Sequence, residues 1–330
     1  MGKRSGGVED MEGLKILITG GNGFVGSNLA RFFLSQGHEV AITVHNEDNN
    51  WRIRSIARDI NLIKADLTDS ERVSDIFMSF KPQVVIHSAT YGGYHFETDV
   101  QRIFETNIKS TINLVENFIR SNSELLINTG SSSEYGFKLK PMSEDNLLEP
   151  VGSYSVSKAA STLYCRSRAV ETRRNILTYR LFSVYGYYEA PHRLIPYLLL
   201  SLINDTKALL NNPSSVRDFI FIQDVCTAFQ SSILHMDKLG NAEIFNLGTG
   251  IESKIVDVVK VAEDISGKMT NIIWKYGQER IGDKATHWVA DMSYTESILN
   301  WKPEFSLEKG LRATYDWIAE NVLKYNLKEG

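Results

Sequence analysis

An apolar run, Leu14–Thr19, passes directly into Gly20-Gly21-Asn22-Gly23-Phe24-Val25-Gly26, and residues 24–36 then keep helical apolar spacing until Gly37. Few features restrict a fold as much as strand, glycine turn and helix in that order. One glycine must take a backbone conformation closed to side chains, one must let backbone approach a ligand, and one must let the helix pack on the strand. The helix then opens with free N–H groups and the positive end of its dipole, which suits an anion. The alternative is a tight βα turn without a ligand.

The alternation continues. Strand-like runs fall at residues 39–44, 61–65, 83–87, 124–128 and 175–181, and helical patterns at 51–58, 70–80, 97–121 and 153–172. Strands apolar on both faces and alternating with helices predict an α/β fold with a doubly wound parallel sheet of the Rossmann kind. Beyond Ser183 the regularity breaks. A helix is expected at 192–203, a strand at 216–222, a helix at 224–235, a strand at 244–247, and helices at 256–266 and 307–321. The expected organisation is a loose polar tail (1–13), a dinucleotide-binding domain (14–182) and a smaller mixed C-terminal lobe for substrate (183–330).

Composition excludes several alternatives. A net charge of −4 gives no global attraction to nucleic acid or anionic membrane. The two cysteines, Cys165 and Cys226, stand far apart and outside any Cys/His cluster, so neither a disulfide scaffold nor a metal site is expected. No apolar run approaches the roughly 18 residues of a membrane helix. A cytoplasmic location is expected.

Set in its strand and helix, the glycine turn points to a dinucleotide, with Gly20, Asn22, Gly23, Phe24, Val25 and Gly26 around the pyrophosphate. An acid ending the second strand would hold the ribose 2′-hydroxyl of NAD. Here Val44-His45-Asn46 occupies that place, Glu47 and Asp48 come one step late, and Arg52 and Arg54 follow. These arginines can hold a 2′-phosphate or form a solvated helix face. The expectation is NADP, with NAD the close alternative. Asp66 fits either an adenine contact or a turn.

Tyr154 and Lys158 stand four apart on a predicted helix and so share a face. An ammonium beside a phenol lowers its pKa, which suits proton transfer near neutral pH. Upstream, a buried strand runs into Thr129-Gly130-Ser131-Ser132-Ser133-Glu134-Tyr135-Gly136. The C-terminal end of a parallel strand is where such folds place ligands, and a hydroxyl there can donate to a substrate oxygen. Tyr91, in Tyr91-Gly92-Gly93-Tyr94-His95, can line the same pocket, and His192 can contact a nucleotide or lie in a plain loop.

Together these motifs resemble the extended short-chain dehydrogenase/reductase family, of NAD-dependent epimerase/dehydratase type. The resemblance spans about residues 15–317. It rests on the glycine turn, Asp66-Leu67, His87-Ser88-Ala89, Thr106-Asn107-Ile108, Ser131–Gly136, Tyr154 with Lys158, Arg180–Gly186, Arg217-Asp218-Phe219 through Asp224-Val225, and Asn246-Leu247-Gly248. It implies a nucleotide-diphosphate sugar as substrate and a homodimer. Tyr154 would be the acid/base, Lys158 its electrostatic partner and ribose ligand, and Ser131 the hydroxyl on the reacting sugar oxygen. Leu67, Ala89 and Asn107 would serve the cofactor side, Ser132 and Ser133 the sugar. Arg217 would grip the diphosphate, the alternative being an ion pair with Asp218 or Asp224.

Departures from the family pattern narrow the chemistry. Dehydratases carry Asp-Glu after the catalytic hydroxyl; this chain has Ser132-Ser133, with Glu134 one place out of register and expected to point elsewhere. Double epimerase-reductases place a cysteine where Ser133 stands. Two reactions need no more than Tyr, Lys, Ser and cofactor. The serine run favours reduction of a 4-keto (6-deoxy) hexose; the alternative is 4-epimerisation with tightly retained NAD. A non-catalytic dinucleotide sensor is the reading from another class. Ser183 replaces the family's usual Asn, and Tyr187 stands where Pro is common.

Overall fold

The computed structural model describes residues 13–46, 50–275 and 287–326. The expected loose tail, but for Gly13, and the pair Glu47 and Asp48 lie outside the described residues. The first elements are β1 (Lys15–Thr19), α1 (Phe24–Ser35), β2 (Glu39–Val44), β3 (Asn61–Lys64), α2 (Ser70–Phe80) and β4 (Val84–His87). Then come α3 (Val100–Phe104), α4 (Ser110–Arg120), β5 (Leu125–Ser131), α5 (Ser153–Thr172), β6 (Ile176–Leu181) and β7 (Ser183–Tyr185). The chain continues through α6 (Leu194–Ile203), β8 (Ala208–Leu210), β9 (Val216–Arg217), β10 (Phe219–Phe221), α7 (Ile222–Leu234) and β11 (Ile244–Leu247). It ends with β12 (Ser253–Lys254), α8 (Ile255–Ser266), β13 (Ile272–Trp274), α9 (Ser293–Leu299) and α10 (Leu307–Asn326).

Seven strands form one sheet in the order β11-β6-β5-β4-β1-β2-β3. β1 pairs in parallel with β2 and β4, β2 with β3, and β4 with β5. The order reverses between β1 and β4, and in doubly wound sheets such a reversal opens a crevice at the carboxyl ends of the strands. Leu17, Val85 and Leu126 lie side by side across β1, β4 and β5. They bury one face of the sheet against Leu114, Val115 and Phe118 of α4 and Cys165 and Ala169 of α5. This packing is why the strand runs are apolar without alternation: each face has its own helical layer.

The chain forms two compact units. The first comprises residues 1–130, 151–179 and 229–244, and the second residues 131–150, 180–228 and 245–330. They interleave, whereas the sequence suggests one boundary near residue 183. In the chain, the second unit begins each time within a sheet strand: at Ser131, the last residue of β5, at Arg180 near the end of β6, and at Phe245 in β11. The second unit pairs β7 with β10 in parallel and β9 with β12 antiparallel, and gathers Tyr135, Met142, Phe182, Ala290 and Met292 into a core of its own.

Three segments depart from the sequence expectation. Residues 51–58 make only one 3₁₀ turn, Arg54–Ile56, because consecutive residues Arg52 and Ile53 are both buried and no amphipathic stripe results. The helix expected over 97–121 is broken into α3 and α4 by a π-helical turn at Glu105–Lys109. The strand expected over 216–222 divides at Asp218, which turns inward. Among the described residues no helix is long and apolar enough to cross a membrane.

Candidate active site

In the first unit, the glycine turn is as tight as its composition demands. Gly20 takes φ +64, and a Cβ there would sit 2.7 Å from the Ala89 Cα. At Gly26 a Cβ would meet the Gly20 carbonyl oxygen at 2.5 Å. Only glycine permits this closeness between β1, α1 and the end of β4. The N-cap of α1 is Gly23, without a side-chain cap, and the first turn holds no acid. Its N–H groups and dipole are thus kept for an anion from elsewhere, which fits a dinucleotide pyrophosphate. Asn22 donates to the Asn46 carbonyl at 3.1 Å and to Asn50 Oδ1 at 3.2 Å, fastening the turn to the chain after β2.

Arg52 does not match its expected role. It is buried, and its guanidinium lies 4.7 Å from the Trp51 ring centre rather than on a solvated face. Of the two arginines that favoured NADP, only Arg54 is exposed. Asp66 is exposed and its Oδ1 accepts from the Thr68 N–H at 2.9 Å and hydroxyl at 2.8 Å. Partial burial opposes the charge, but the Thr68 donors outweigh it and hold this carboxyl below its ordinary range. Asp69, not Asp66, caps α2. Leu67 is buried in the core, and the Ala89 N–H donates to Thr19 Oγ1 at 3.3 Å.

Tyr154 and Lys158 lie on α5, Tyr154 half-buried and Lys158 buried. The Lys158 ammonium donates to the Thr129 carbonyl at the end of β5. Asn107 is the joint between this helix and the loop after β4. Its amide donates to Ser157 Oγ at 2.9 Å and to the Tyr91 carbonyl at 2.8 Å, and its Oδ1 accepts from the Tyr91 N–H at 2.8 Å. Ser157 in turn donates to the Tyr154 carbonyl at 2.7 Å. The Tyr91 ring is covered by the Arg102 guanidinium at 4.3 Å. Glu97, which the sequence reading passed over, accepts from the N–H groups of Gly92 and Tyr94, and so holds Gly93 beside the Tyr154 ring. His95 meets the edge of Phe96.

His87 was also missed, since it ends an apolar strand and reads as core. It is fully buried between Thr19 Oγ1, 2.7 Å from Nδ1, and Thr111 Oγ1, 2.9 Å from Nε2. The Thr111 hydroxyl donates to the Asn107 carbonyl at 2.6 Å, so it accepts from His87 Nε2–H. Nδ1 then accepts from Thr19, and the imidazole is neutral. Burial, and secondarily the Lys158 charge, push its pKa down to about 3. Unfolded, this histidine titrates near 6.5. Between those values the unfolded chain binds a proton that the native one refuses, so stability falls as pH falls, by about 1.4 kcal/mol per unit below pH 6.5. Urea midpoints at pH 7.5 and 5.0 should converge for His87→Gln relative to the unsubstituted protein; equal shifts in both would refute the assignment.

In the second unit, Ser131 caps the 3₁₀ turn Ser132–Tyr135. Its Oγ accepts from the Ser133 N–H at 3.2 Å and lies 2.8 Å from Ser133 Oγ. Ser132 is buried, and its hydroxyl accepts from the Trp288 indole at 3.0 Å. Glu134 is turned inward onto Arg180. Arg217, partly exposed, donates to the Val216 carbonyl, and His192 is exposed just before α6. The neighbour of Arg217, Asp218, is buried and collects N–H groups from Ala290, Thr249 and Gly250. Burial raises its pKa, and those donors oppose the rise. It organises the loop around Gly248.

A family model described as the NAD dependent epimerase/dehydratase family matches residues 16–248, well over half of the chain. The chain belongs to this family. A UDP-glucuronate 4-epimerase from Thermodesulfobacterium geofontis is 27% identical over 93% of this chain and 96% of its own length. A UDP-glucose 4-epimerase from Bacillus subtilis is 23% identical over 96% of this chain and 100% of its own. Among solved structures, UDP-glucuronic acid 4-epimerase from Bacillus cereus, in complex with UDP-glucuronic acid and NAD, superposes with a TM-score of 0.83. It shares 26% identity, covering 93% of this chain and 100% of that one. These relatives are epimerases, and that structure holds NAD. Both facts turn the sequence-based order of preference around: 4-epimerisation stands ahead of keto reduction, and NAD ahead of NADP.

Proposed function

We propose that this protein is a nucleotide-sugar 4-epimerase that works with retained NAD. The observation that carries the reading is the Tyr154–Lys158 pair on α5, anchored through Asn107 and Thr129 in the same unit as a glycine cradle open to an anion. Its similarity to 4-epimerases of UDP-glucuronate and UDP-glucose supports a UDP-hexose as substrate.

In this reading, Gly20, Asn22, Gly23, Gly26 and the first N–H groups of α1 hold the pyrophosphate, and Lys158 holds the nicotinamide ribose. When bound, NAD supplies the two-electron chemistry, taking a hydride from carbon and giving it back. The Tyr154 phenolate accepts the proton of the sugar 4-hydroxyl, and the phenol returns it to the same oxygen. Lys158 favours the phenolate through its charge. Ser131 donates to the 4-oxygen, the Ser133 hydroxyl donates to Ser131 Oγ, and Arg217 binds the diphosphate. His87 keeps its buried place uncharged and takes no part in proton transfer.

The decisive experiment incubates the purified protein, with no cofactor added, with UDP-glucuronate and with UDP-glucose, follows the sugar by NMR, and then denatures the protein to identify released dinucleotide. The expected result is the 4-epimer at equilibrium and near-stoichiometric NAD. Turnover that requires added NADPH and consumes it mole for mole would instead establish a reductase.

The homodimer implied by the family resemblance gains support from α5, where Val156, Leu163 and Val170 are exposed at seven-residue intervals and so form one apolar stripe. Leu163→Glu is expected to give a monomer in sedimentation; a monomeric unsubstituted protein would remove the proposal.

A further inference from the structure

The geometry points to Glu134 as a positioning residue that sets the Ser131 hydroxyl through the Ser131 backbone. The inference rests on the role proposed for Ser131. The Glu134 carboxylate is fully buried and both its oxygens are committed. Oε1 accepts from the Ser131 N–H at 2.8 Å, while Ser131 Oγ accepts from Ser133 N–H, so the two residues close a reciprocal capping box. Oε2 accepts from Arg180 Nε at 2.9 Å.

Arg180 is itself held. Its terminal nitrogen donates to the Tyr135 hydroxyl at 2.9 Å and to the Glu144 carbonyl at 3.1 Å, and its guanidinium lies over the Tyr135 ring. The Tyr135 hydroxyl donates to Asn246 Oδ1 at 2.7 Å. A single rigid chain of contacts thus runs from the interior of the second unit to the amide of Ser131. A one-turn 3₁₀ segment has little intrinsic stability of its own. What keeps Ser131 in its extended conformation at the mouth of that turn is the carboxylate behind it. Glutamine cannot replace it. A carboxamide offers one acceptor where two N–H donors converge, so whichever way it flips, an –NH2 faces either Ser131 N–H or Arg180 Nε–H.

The test is a four-variant cycle: unsubstituted protein, Glu134→Gln, Ser131→Ala, and the double variant, assayed with UDP-glucuronate or UDP-glucose, whichever is converted faster. Displacing a reacting group by about 1 Å can cost on the order of 100-fold in rate. Glu134→Gln is therefore expected to lower kcat roughly 10- to 100-fold with little change in KM. On the Ser131→Ala background it should lower kcat no further. An additive loss, or a loss of melting temperature with unchanged kcat, overturns the proposal. If Ser131→Ala leaves kcat intact, the role of Ser131 falls and the proposal with it.

Two measurements keep the test informative. Should Glu134→Gln fold poorly, Glu134→Leu combined with Arg180→Met removes the buried charge pair as a unit, and Ser131→Ala is compared on that background with the same expectations. Should neither sugar nucleotide be converted, the proposed reaction fails. Hydrogen exchange at the Ser131 amide then decides the proposal separately. It should accelerate at least roughly tenfold in Glu134→Gln, while residues 125–128 of β5 keep their rates; an unchanged rate at Ser131 overturns it.

Discussion

Tyr154→Phe is expected to lower turnover roughly 100- to 10,000-fold, the range for removal of a positioned general acid/base, while bound NAD is retained. The substitution deletes one oxygen and leaves the ring in its place beside Gly93. Other contacts hold α5. Lys158 is held by the Thr129 carbonyl, and Ser157 ties the helix to Asn107 and to the backbone of Tyr154. The glycine turn and the N-terminus of α1 are separate in the chain and unaffected. Dinucleotide released on denaturation should therefore match the unsubstituted protein while the NMR assay shows little epimer. Full activity in Tyr154→Phe would eliminate the phenol as the proton-transfer group, and loss of NAD together with activity would point to damaged architecture.

The second large effect is on stability. Arg180→Met is expected to destabilise the protein by about 3–5 kcal/mol, the usual consequence of leaving one member of a buried ion pair behind. Both side chains are essentially inaccessible, 2% for Arg180 and 0% for Glu134. The carboxylate would keep the Ser131 N–H but lose its countercharge, and the Tyr135 hydroxyl and Glu144 carbonyl would lose a donor. Removing Glu134 as well, as leucine, should recover much of the loss, because well-packed apolar groups often replace a buried pair at little net cost. Urea midpoints of the single and double variants provide the check. An Arg180→Met midpoint equal to that of the unsubstituted protein would mean that the pair is not closed in solution.

What the sequence made legible divides along physical lines. The glycine turn was readable because its requirement is local: positive φ and close backbone approach admit few other residues, and the strand and helix on either side follow from periodicity alone. Tyr154 and Lys158 were readable because helical spacing fixes a shared face. Arg52 misled because its burial against Trp51 is a tertiary event that no spacing rule anticipates. His87 was hidden in an apolar strand, although a titratable residue ending a strand next to the sheet's reversal is itself a signal. Glu134 is the most instructive miss. Read against the family pattern it is a displaced acid, but Ser131-x-x-Glu134 is also the spacing of a capping box, and that local rule identifies its partner. The preference for reduction over epimerisation came from a run of serines, whose hydroxyls serve either reaction.

The π-helical turn at Glu105–Lys109 makes chain length part of the site. One extra residue in a helical turn puts everything beyond it out of phase by roughly 100°. Beyond it α4 buries Ser110, Thr111 and Leu114. The same turn leaves the Asn107 carbonyl to two hydroxyls, Thr111 at 2.6 Å and Ser161 at 2.8 Å. Deleting a single residue of the turn other than Asn107 would restore an ordinary helix, rotate α4 against its neighbours and withdraw that carbonyl from both. Every side chain named in the site would still be present in the sequence, and the joint at Asn107 would be gone. Point substitutions around Asn107 should consequently be better tolerated than indels, and a variant library built with fixed length would sample this helix far more productively than one that allows gaps.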